Sequence, residues 1–156
     1  MGVEIERKFR LKEDFIPNSF EQIKITQGYL SSGIHNTIRI RLANEQAFLT
    51  VKGKTTGISR LEFEYEIPFE EGKQLLMLAE DALISKVRHI YQYEGKKWEV
   101  DVFLGDNDGL RIAECELLSE DELIKIPDWI DQEISDDARY HNSYLAKNPY
   151  KTWNNQ

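Results

Sequence analysis

The sequence predicts an α+β fold, an eight-stranded antiparallel β-barrel with flanking helices. Three features carry this prediction. Apolar and polar residues alternate in segment after segment, as they do along strands that bury one face. Turn-forming residues separate these segments at intervals of roughly 8–12 residues, which is typical of a meandering antiparallel sheet. A sheet of about eight strands often closes into a barrel, because closure removes its unpaired edges.

Five strands are expected in the first half of the chain. Asn18, Gly33, Asn44 and Gly53 fall between them and are typical of turns, and Pro68 ends the fifth strand. The predicted strands cover residues 2–11, 23–30, 37–43, 47–52 and 60–67.

The period changes after the fifth strand. Leu75, Leu76, Ala79, Ala82 and Leu83 recur at helical spacing and predict an amphipathic helix over about residues 70–83. Alternation then resumes in three further segments. These strands are predicted over residues 85–93, 97–103 and 110–118.

Helices are also expected near the end of the chain. Ser119 with Glu122 three residues later is a capping-box pattern, which predicts the start of a short helix. Tyr140, Tyr144 and Leu145 recur at helical spacing and predict a last helix. The tail from residue 148 is expected to be loosely packed unless it docks on the barrel.

Length and composition indicate one domain, residues 1–156, without repeats or linkers. The net charge of −8 argues against nucleic acid or an anionic membrane as partner. No apolar run is as long as a membrane span, and the N-terminus lacks a signal-peptide pattern, so we expect a cytoplasmic protein. The single cysteine, Cys115, excludes an intramolecular disulfide. The sequence leaves a monomer and a homodimer equally open.

The predicted strands carry ionised groups on one face. In the first strand Glu4, Glu6 and Lys8 share a face, opposite Val3 and Ile5. One such strand would usually be the solvated side of a sheet. Its recurrence, with charges of both signs, indicates instead that the charged faces line the interior of the barrel and that helices cover the apolar outside.

The charged faces supply two groups of residues. The acidic set is Glu4, Glu6, Glu62, Glu64, Asp101, Glu114 and Glu116. The basic set is Lys8, Arg39, Arg41, Lys52, Arg60, Lys86 and Arg88. Clustered carboxylates suit hard cations such as Mg²⁺ or Mn²⁺, and clustered arginine and lysine suit phosphate oxygens. A cavity lined by both sets is expected to bind a complex of a metal ion with a polyphosphate.

Several other residues have simpler interpretations. His35, His89 and His141 lack metal-ligand spacing and are expected to lie on the surface or in packing contacts. Cys115 and the aromatic residues Trp98, Tyr65 and Phe63 are expected to pack in the apolar core beneath helices.

The order of these motifs resembles the CYTH superfamily, the triphosphate tunnel metalloenzymes. Glu4-x-Glu6-x-Lys8 resembles the ExExK signature of that family, and the similarity continues to about residue 118. The further motifs are Arg39-x-Arg41, Thr50-x-Lys52-Gly53, Arg60-x-Glu62-x-Glu64, Lys86-x-Arg88, Trp98-Glu99-Val100-Asp101 and Glu114-x-Glu116.

The resemblance implies an eight-stranded tunnel that hydrolyses or rearranges triphosphates with a divalent metal. It implies that the basic set binds the small-molecule triphosphate and that the acidic set holds one or two Mg²⁺ or Mn²⁺ ions. Lys8, Arg39 and Arg41 are then expected to act in catalysis, the arginines by stabilising charge in the transition state. Tyr29 resembles a tyrosine that some members place near the ExExK lysine, which implies a role in proton transfer.

Three activities of the family fit these motifs. An inorganic triphosphatase is expected first, because the short chain leaves little room for a nucleoside or thiazolium pocket. An adenylyl cyclase of class IV type and a thiamine triphosphatase are the alternatives. A polyphosphate-binding module without turnover is a rival of another class, and the complete acidic set argues against it, since binding an anion needs only the bases.

Overall fold

The computed structural model describes residues 2–153. It contains β1 (Val3–Leu11), β2 (Glu21–Ser32), β3 (Asn36–Ala43), β4 (Gln46–Gly53), β5 (Ser59–Ile67), β6 (Ile84–Tyr93), β7 (Lys96–Phe103) and β8 (Arg111–Glu116). The strands follow the order β5-β4-β3-β2-β6-β7-β8-β1, and pairing of β1 with β5 closes the ring. The predicted antiparallel barrel is therefore confirmed, and each strand ends within two residues of its predicted limits.

A ninth strand, β9 (Ile130–Glu133), was not predicted. β1 pairs with β8 along one edge, and β5 and β9 share its other edge. Residues 3–5 of that second edge pair with β5, and Phe9 and Leu11 pair with β9. The short strand thus completes the pairing of β1 where β5 no longer reaches it.

The first helix, α1 (Phe69–Leu76), is shorter than the predicted 70–83. It ends where the backbone turns back to the barrel, since the Glu80 N–H donates a hydrogen bond to the Tyr29 carbonyl oxygen on β2. Beyond the helix Ala79 and Leu83 still approach β2, although Leu83 keeps 46% of its surface exposed. A Cβ added to Gly28 of β2 would lie 2.7 Å from Leu83 and 3.0 Å from Ala79, so this strand needs glycine for the close approach.

The helix predicted from Ser119 and Glu122 is absent from the described part of the chain, where residues 119–122 form a turn. The Glu122 side chain is held elsewhere, because its carboxylate accepts hydrogen bonds from the Leu118 N–H and from Lys96 Nζ. The chain then crosses the outside of the barrel without regular structure until β9.

The predicted last helix is present as α2 (Asn142–Lys147), which a 3₁₀ turn at Ala138–Tyr140 precedes. The tail docks on the barrel through a second 3₁₀ turn (Tyr150–Thr152), and Trp153 packs against Tyr140 with ring centroids 5.4 Å apart. Residues 154–156 of the predicted tail lie outside the described residues. Within residues 2–153, no helix has the length and apolar character needed to span a bilayer.

Two apolar clusters lie on different sides of the barrel wall. In one, Tyr29, Ile84 and Phe103 of the barrel belong to the same cluster as Leu145 and Ala146 of α2. The C-terminal segment therefore packs against the barrel, where α2 contacts β2 and β6. The other cluster lies outside, where Phe9, Trp98 and Cys115 are covered by the segment around Trp129.

The outer face of β5 lacks such a cover. Phe63 and Tyr65 keep 45% and 59% of their surface exposed. Their prediction as core residues was wrong. Trp98 and Cys115 are buried as predicted, but an irregular segment covers them and not a helix. Alternation along β5 identified which side chains face away from the tunnel, but it did not show that those of Phe63 and Tyr65 stay exposed.

Candidate active site

The barrel encloses a cavity of about 160 Å³ lined almost entirely by charged side chains. Every member of the basic set lines it, and so does every member of the acidic set except Asp101. Tyr29 lines it as well, together with Glu99 and Asn142, which the sequence analysis had not selected. The charged faces thus line the interior, as predicted.

Strand register pairs opposite charges across the cavity wall. Lys8 lies opposite Glu114, Lys52 opposite Glu62, and Arg88 opposite Asp101. Directly opposed side chains in an antiparallel pair are about 4.5–5.5 Å apart at Cβ, so each pair is within contact distance. Alternation along each strand and the register between strands together therefore place acidic and basic side chains next to one another in the cavity.

Asp101 is the most deeply embedded acid. Its carboxylate accepts hydrogen bonds from Lys86 Nζ at 2.6 Å and from Arg88 Nε and Nη2 at 2.8 and 2.9 Å. Burial alone would raise the pKa of Asp101, but the charges of Arg88 and Lys86 hold that pKa far below its ordinary value. Both oxygens are engaged by cations, so Asp101 orients two members of the basic set.

Glu4 and Glu114 are also paired with cations. Glu4 lies 3.1 Å from Lys52 Nζ and 3.2 Å from Arg60 Nε, and Glu114 lies 3.3 Å from Arg88 Nη2. Burial opposes ionisation of Glu114, yet Lys8 and Arg88 lower its pKa to about 2. The pKa of Glu4 is likewise lowered by Lys52 and Arg60 against the effect of burial.

Three other carboxylates have raised pKa values, although Lys8 lies 3.9 Å from Glu6 and Lys52 lies 3.2 Å from Glu62. Burial, reinforced by the charge of Glu114, raises the pKa of Glu6 to about 8. Burial also raises the pKa of Glu62 and Glu116, and both shifts are increased by the charge of Glu4. An additional cation near these side chains would relieve the repulsion between them.

The basic side chains of β3 point into the cavity with unused donors. Arg39 Nη2 contacts Thr50 Oγ1 at 3.3 Å and Glu64 at 3.6 Å, while its Nε is buried without a hydrogen-bond partner in the described structure. Arg41 forms no ion pair within residues 2–153, and its Nε donates to Gln27 Oε1 at 2.7 Å. Burial and the charge of Arg39 lower the pKa of Arg41 to about 9, so it remains charged at neutral pH.

The carboxylates that line the cavity have the chemistry to bind a divalent cation, but within residues 2–153 they do not converge on a single ion position. Their oxygen donors are those that Mg²⁺ and Mn²⁺ prefer, and the raised pKa values mark where negative charge lacks compensation. No three histidine, cysteine, aspartate or glutamate side chains of the described chain converge on one metal position. The carboxylates already paired with lysine or arginine would therefore have to rotate to coordinate an ion.

Several residues of the site are absent from the predicted set. Glu99 could have been found, because it shares the charged face of β7 with Asp101, and it lies 3.3 Å from Arg88 Nη1. Gln27 lies opposite Arg41 in the β2–β3 register. His141 is not a surface residue but lines a smaller cavity beside Glu4, Lys8 and Arg60, where burial and the charges of Lys8 and Arg60 lower its pKa to about 4.

Comparison with known proteins agrees with this geometry. Residues 2–144 match the CYTH domain, so the chain belongs to the CYTH domain family. It is 48% identical to an inorganic triphosphatase of Acetivibrio thermocellus over 98% of this chain and 99% of that protein. It is 33% identical to an inorganic triphosphatase of Nitrosomonas europaea, covering 92% and 96%. A solved inorganic triphosphatase structure is similar with a TM-score of 0.67 and 30% identity, covering 94% of this chain and 95% of that one.

Proposed function

We propose that this chain is a divalent-metal-dependent inorganic triphosphatase that hydrolyses tripolyphosphate to pyrophosphate and phosphate. One observation carries the proposal: within residues 2–153, one cavity holds a buried Arg39 Nε without a hydrogen-bond partner and an Arg41 without an ion pair, beside carboxylates whose pKa is raised. A polyanion bound with its metal ion would satisfy both groups at once. The two relatives named as inorganic triphosphatases support the same reaction.

The lining of the cavity favours an inorganic substrate. Tyr29 is the one aromatic side chain of the described structure that lines it, and the small volume suits a chain of phosphates better than a nucleoside. The cyclase and thiamine triphosphatase alternatives each need an additional pocket for an organic group. Tripolyphosphate needs none.

In this proposal the basic set binds the phosphates. Arg39 and Arg41 stabilise the charge that develops as the terminal phosphoryl group leaves, and their burial in a closed barrel strengthens that interaction. Asp101 acts on the substrate indirectly by holding Lys86 and Arg88 in place. Tyr29, buried on the cavity wall opposite Arg39 in the β2–β3 register, is placed to exchange a proton with a bound phosphate.

The acidic set would hold the metal. Glu6, Glu62 and Glu116 are the first candidates because their charge is least compensated, with Glu4, Glu64, Glu114 and Asp101 around them. When bound, Mg²⁺ or Mn²⁺ would neutralise substrate charge and lower the pKa of a water molecule. A cytoplasmic location and a monomeric or homodimeric state stay predictions from the sequence.

The test is a comparison of substrates. The purified protein is incubated with tripolyphosphate, ATP or thiamine triphosphate, each with Mg²⁺ or Mn²⁺, and the products are separated by ion-exchange chromatography. We expect rapid loss of tripolyphosphate and little change in the other two. Cyclic AMP from ATP would establish the cyclase instead, and tight binding of tripolyphosphate without any product would establish a binding module.

A further inference from the structure

Two amide side chains, the fully buried Gln27 and the half-buried Asn142, connect two cations of the cavity. Arg41 Nε donates to Gln27 Oε1 at 2.7 Å, and Gln27 Nε2 donates to Asn142 Oδ1 at 2.6 Å. The same Asn142 oxygen accepts a hydrogen bond from Lys86 Nζ at 3.0 Å. These contacts form one continuous network from β3 through β2 and α2 to β6, which we call the amide network.

The chemistry of its ends fixes the orientation of both amides. Arginine and lysine can only donate hydrogen bonds, so each must face an amide oxygen. Gln27 therefore presents Oε1 to Arg41, which leaves its NH₂ group to donate to Asn142. Rotation of either amide by half a turn would place NH₂ against a cation. The amide network has a single favourable arrangement.

A neutral acceptor suits Arg41, a cation that must remain available to an anion. Lys86, at the other end of the amide network, is also paired with the Asp101 carboxylate at 2.6 Å. Lys52 and Arg60 are paired with the Glu4 carboxylate, which cancels much of their charge. Arg41 has no carboxylate within ion-pair distance in residues 2–153, and an amide oxygen holds its Nε instead. Such a contact fixes the side chain and supports its charge without neutralising it.

We propose that Gln27 and Asn142 are positioning residues that hold Arg41 and Lys86 in the geometry that binds the triphosphate. This inference rests on the proposed function, because it assumes that the two cations contact substrate. Asn142 is the first residue of α2, so the C-terminal segment supplies an acceptor to the cavity as well as packing against the barrel. The amide network thereby couples helix docking to the placement of two substrate-binding cations.

The test combines kinetics with a measurement that needs no turnover. Gln27→Leu and Asn142→Leu remove the hydrogen bonds while keeping similar volumes, and the double variant tests whether the residues act together. Each single variant is expected to lower kcat/KM for tripolyphosphate by about tenfold, because each removes a hydrogen bond linked to a charged group. The kcat/KM of the double variant is expected to be only slightly lower than that of the less active single variant, because either substitution alone already interrupts the network.

The independent measurement is hydrogen exchange of the Arg41 Nε–H, followed by ¹⁵N NMR without substrate. Asn142 does not touch Arg41, yet Asn142→Leu is expected to accelerate this exchange by loosening Gln27. Asn107→Leu is the matched control. Asn107 is an asparagine, more deeply buried than Asn142, whose Oδ1 likewise anchors the C-terminal segment through the Tyr150 N–H at 2.8 Å, but it lies outside the cavity.

The control is expected to leave both kcat/KM and the exchange rate near those of the wild-type protein. The inference is overturned if Asn142→Leu leaves the Arg41 exchange unchanged, if the control accelerates it equally, or if the double variant loses activity multiplicatively. Thermal unfolding establishes that each variant folds, and Asn142→Ala replaces Asn142→Leu should the latter not fold. A wild-type protein without triphosphatase activity would refute the proposed function, while the exchange data would still test the amide network.

Discussion

Arg88 and Arg41 line the same cavity, and their surroundings differ. Arg88 contacts the carboxylates of Asp101, Glu99 and Glu114, and these acids raise its pKa even though burial alone would lower it. Arg41 is held by one amide, and burial lowers its pKa to about 9. The fold thus compensates much of the charge of Arg88, whereas Arg41 forms no ion pair within residues 2–153 and has more of its charge left for a ligand.

The contrast separates two uses of buried charge. An arginine surrounded by carboxylates stabilises the barrel, because removing it would leave those acids buried without partners. An arginine without a carboxylate partner destabilises the protein when no ligand is bound. Binding of an anion removes that destabilisation and so favours the complex. Substitutions at the two positions should therefore affect different properties.

The largest effect on stability is expected at Arg88. Arg88→Ala leaves Asp101 and Glu114 with too little positive charge in a buried site. We expect the free energy of unfolding in urea to fall by about 3–5 kcal/mol, as when one partner of a buried ion pair is removed. A loss below about 1 kcal/mol would show that Arg88 does not act as a structural partner.

Arg41→Ala is expected to reduce activity with only a small loss of stability. Loss of a donor aimed at developing charge costs roughly 10²–10³-fold, so kcat/KM for tripolyphosphate should fall in that range. The free energy of unfolding should fall by only about 1–2 kcal/mol, less than for Arg88→Ala, because no carboxylate loses an ion pair and only Gln27 Oε1 loses its donor. An Arg41→Ala protein with unchanged steady-state kinetics would contradict a role in phosphate binding.

Carboxylates whose pKa is raised should respond through the metal. Glu6→Gln removes a half-buried acid that Lys8, 3.9 Å away, compensates only in part. The Mg²⁺ or Mn²⁺ concentration that gives half-maximal activity is expected to rise about tenfold or more. Glu133→Gln is the control, since Glu133 pairs with Arg7 outside the cavity at 2.7 Å. Equal metal activation of Glu6→Gln and the wild-type protein would remove Glu6 from the proposed ligands.

A third arginine, Arg7, is expected to contribute least to stability. Arg7 forms two hydrogen bonds with Glu133, at 2.7 and 2.9 Å, but both side chains are partly exposed on the outside of the barrel. Arg7→Ala is expected to lower stability by about 1 kcal/mol or less, because water screens such a pair. A loss as large as that of Arg88→Ala, measured in the same urea series, would mean that burial does not explain the difference.

The barrel and most of the cavity could be predicted from the sequence because they depend on strand alternation. A period of two determines which side chains of β1 or β5 share a face, and closure then turns the charged face inward. The short strand β9 could not be predicted, since Ile130–Glu133 shows almost no alternation and pairs with β1 from far along the chain. The length of α1 depended on a tertiary hydrogen bond from Glu80 to β2.

Other features depend on contacts that no local pattern reveals. Asn142 reaches the cavity only because α2 docks on the barrel, 115 positions after Gln27. Alternation places Phe63 and Tyr65 outside, but what covers an outer face is decided by packing elsewhere. The role of each predicted site residue stays a prediction, because pairing of acids with bases shows where the charges lie and not which of them bind metal or phosphate.

The most direct test of the account is the metal dependence of tripolyphosphate hydrolysis, followed by ³¹P NMR. The protein freed of metal by chelation is compared with the same sample after Mg²⁺ or Mn²⁺ is restored. The account predicts no turnover without metal and, with metal, equal amounts of phosphate and pyrophosphate. Hydrolysis at the same rate after chelation, or intact tripolyphosphate in the presence of both metals, would contradict it.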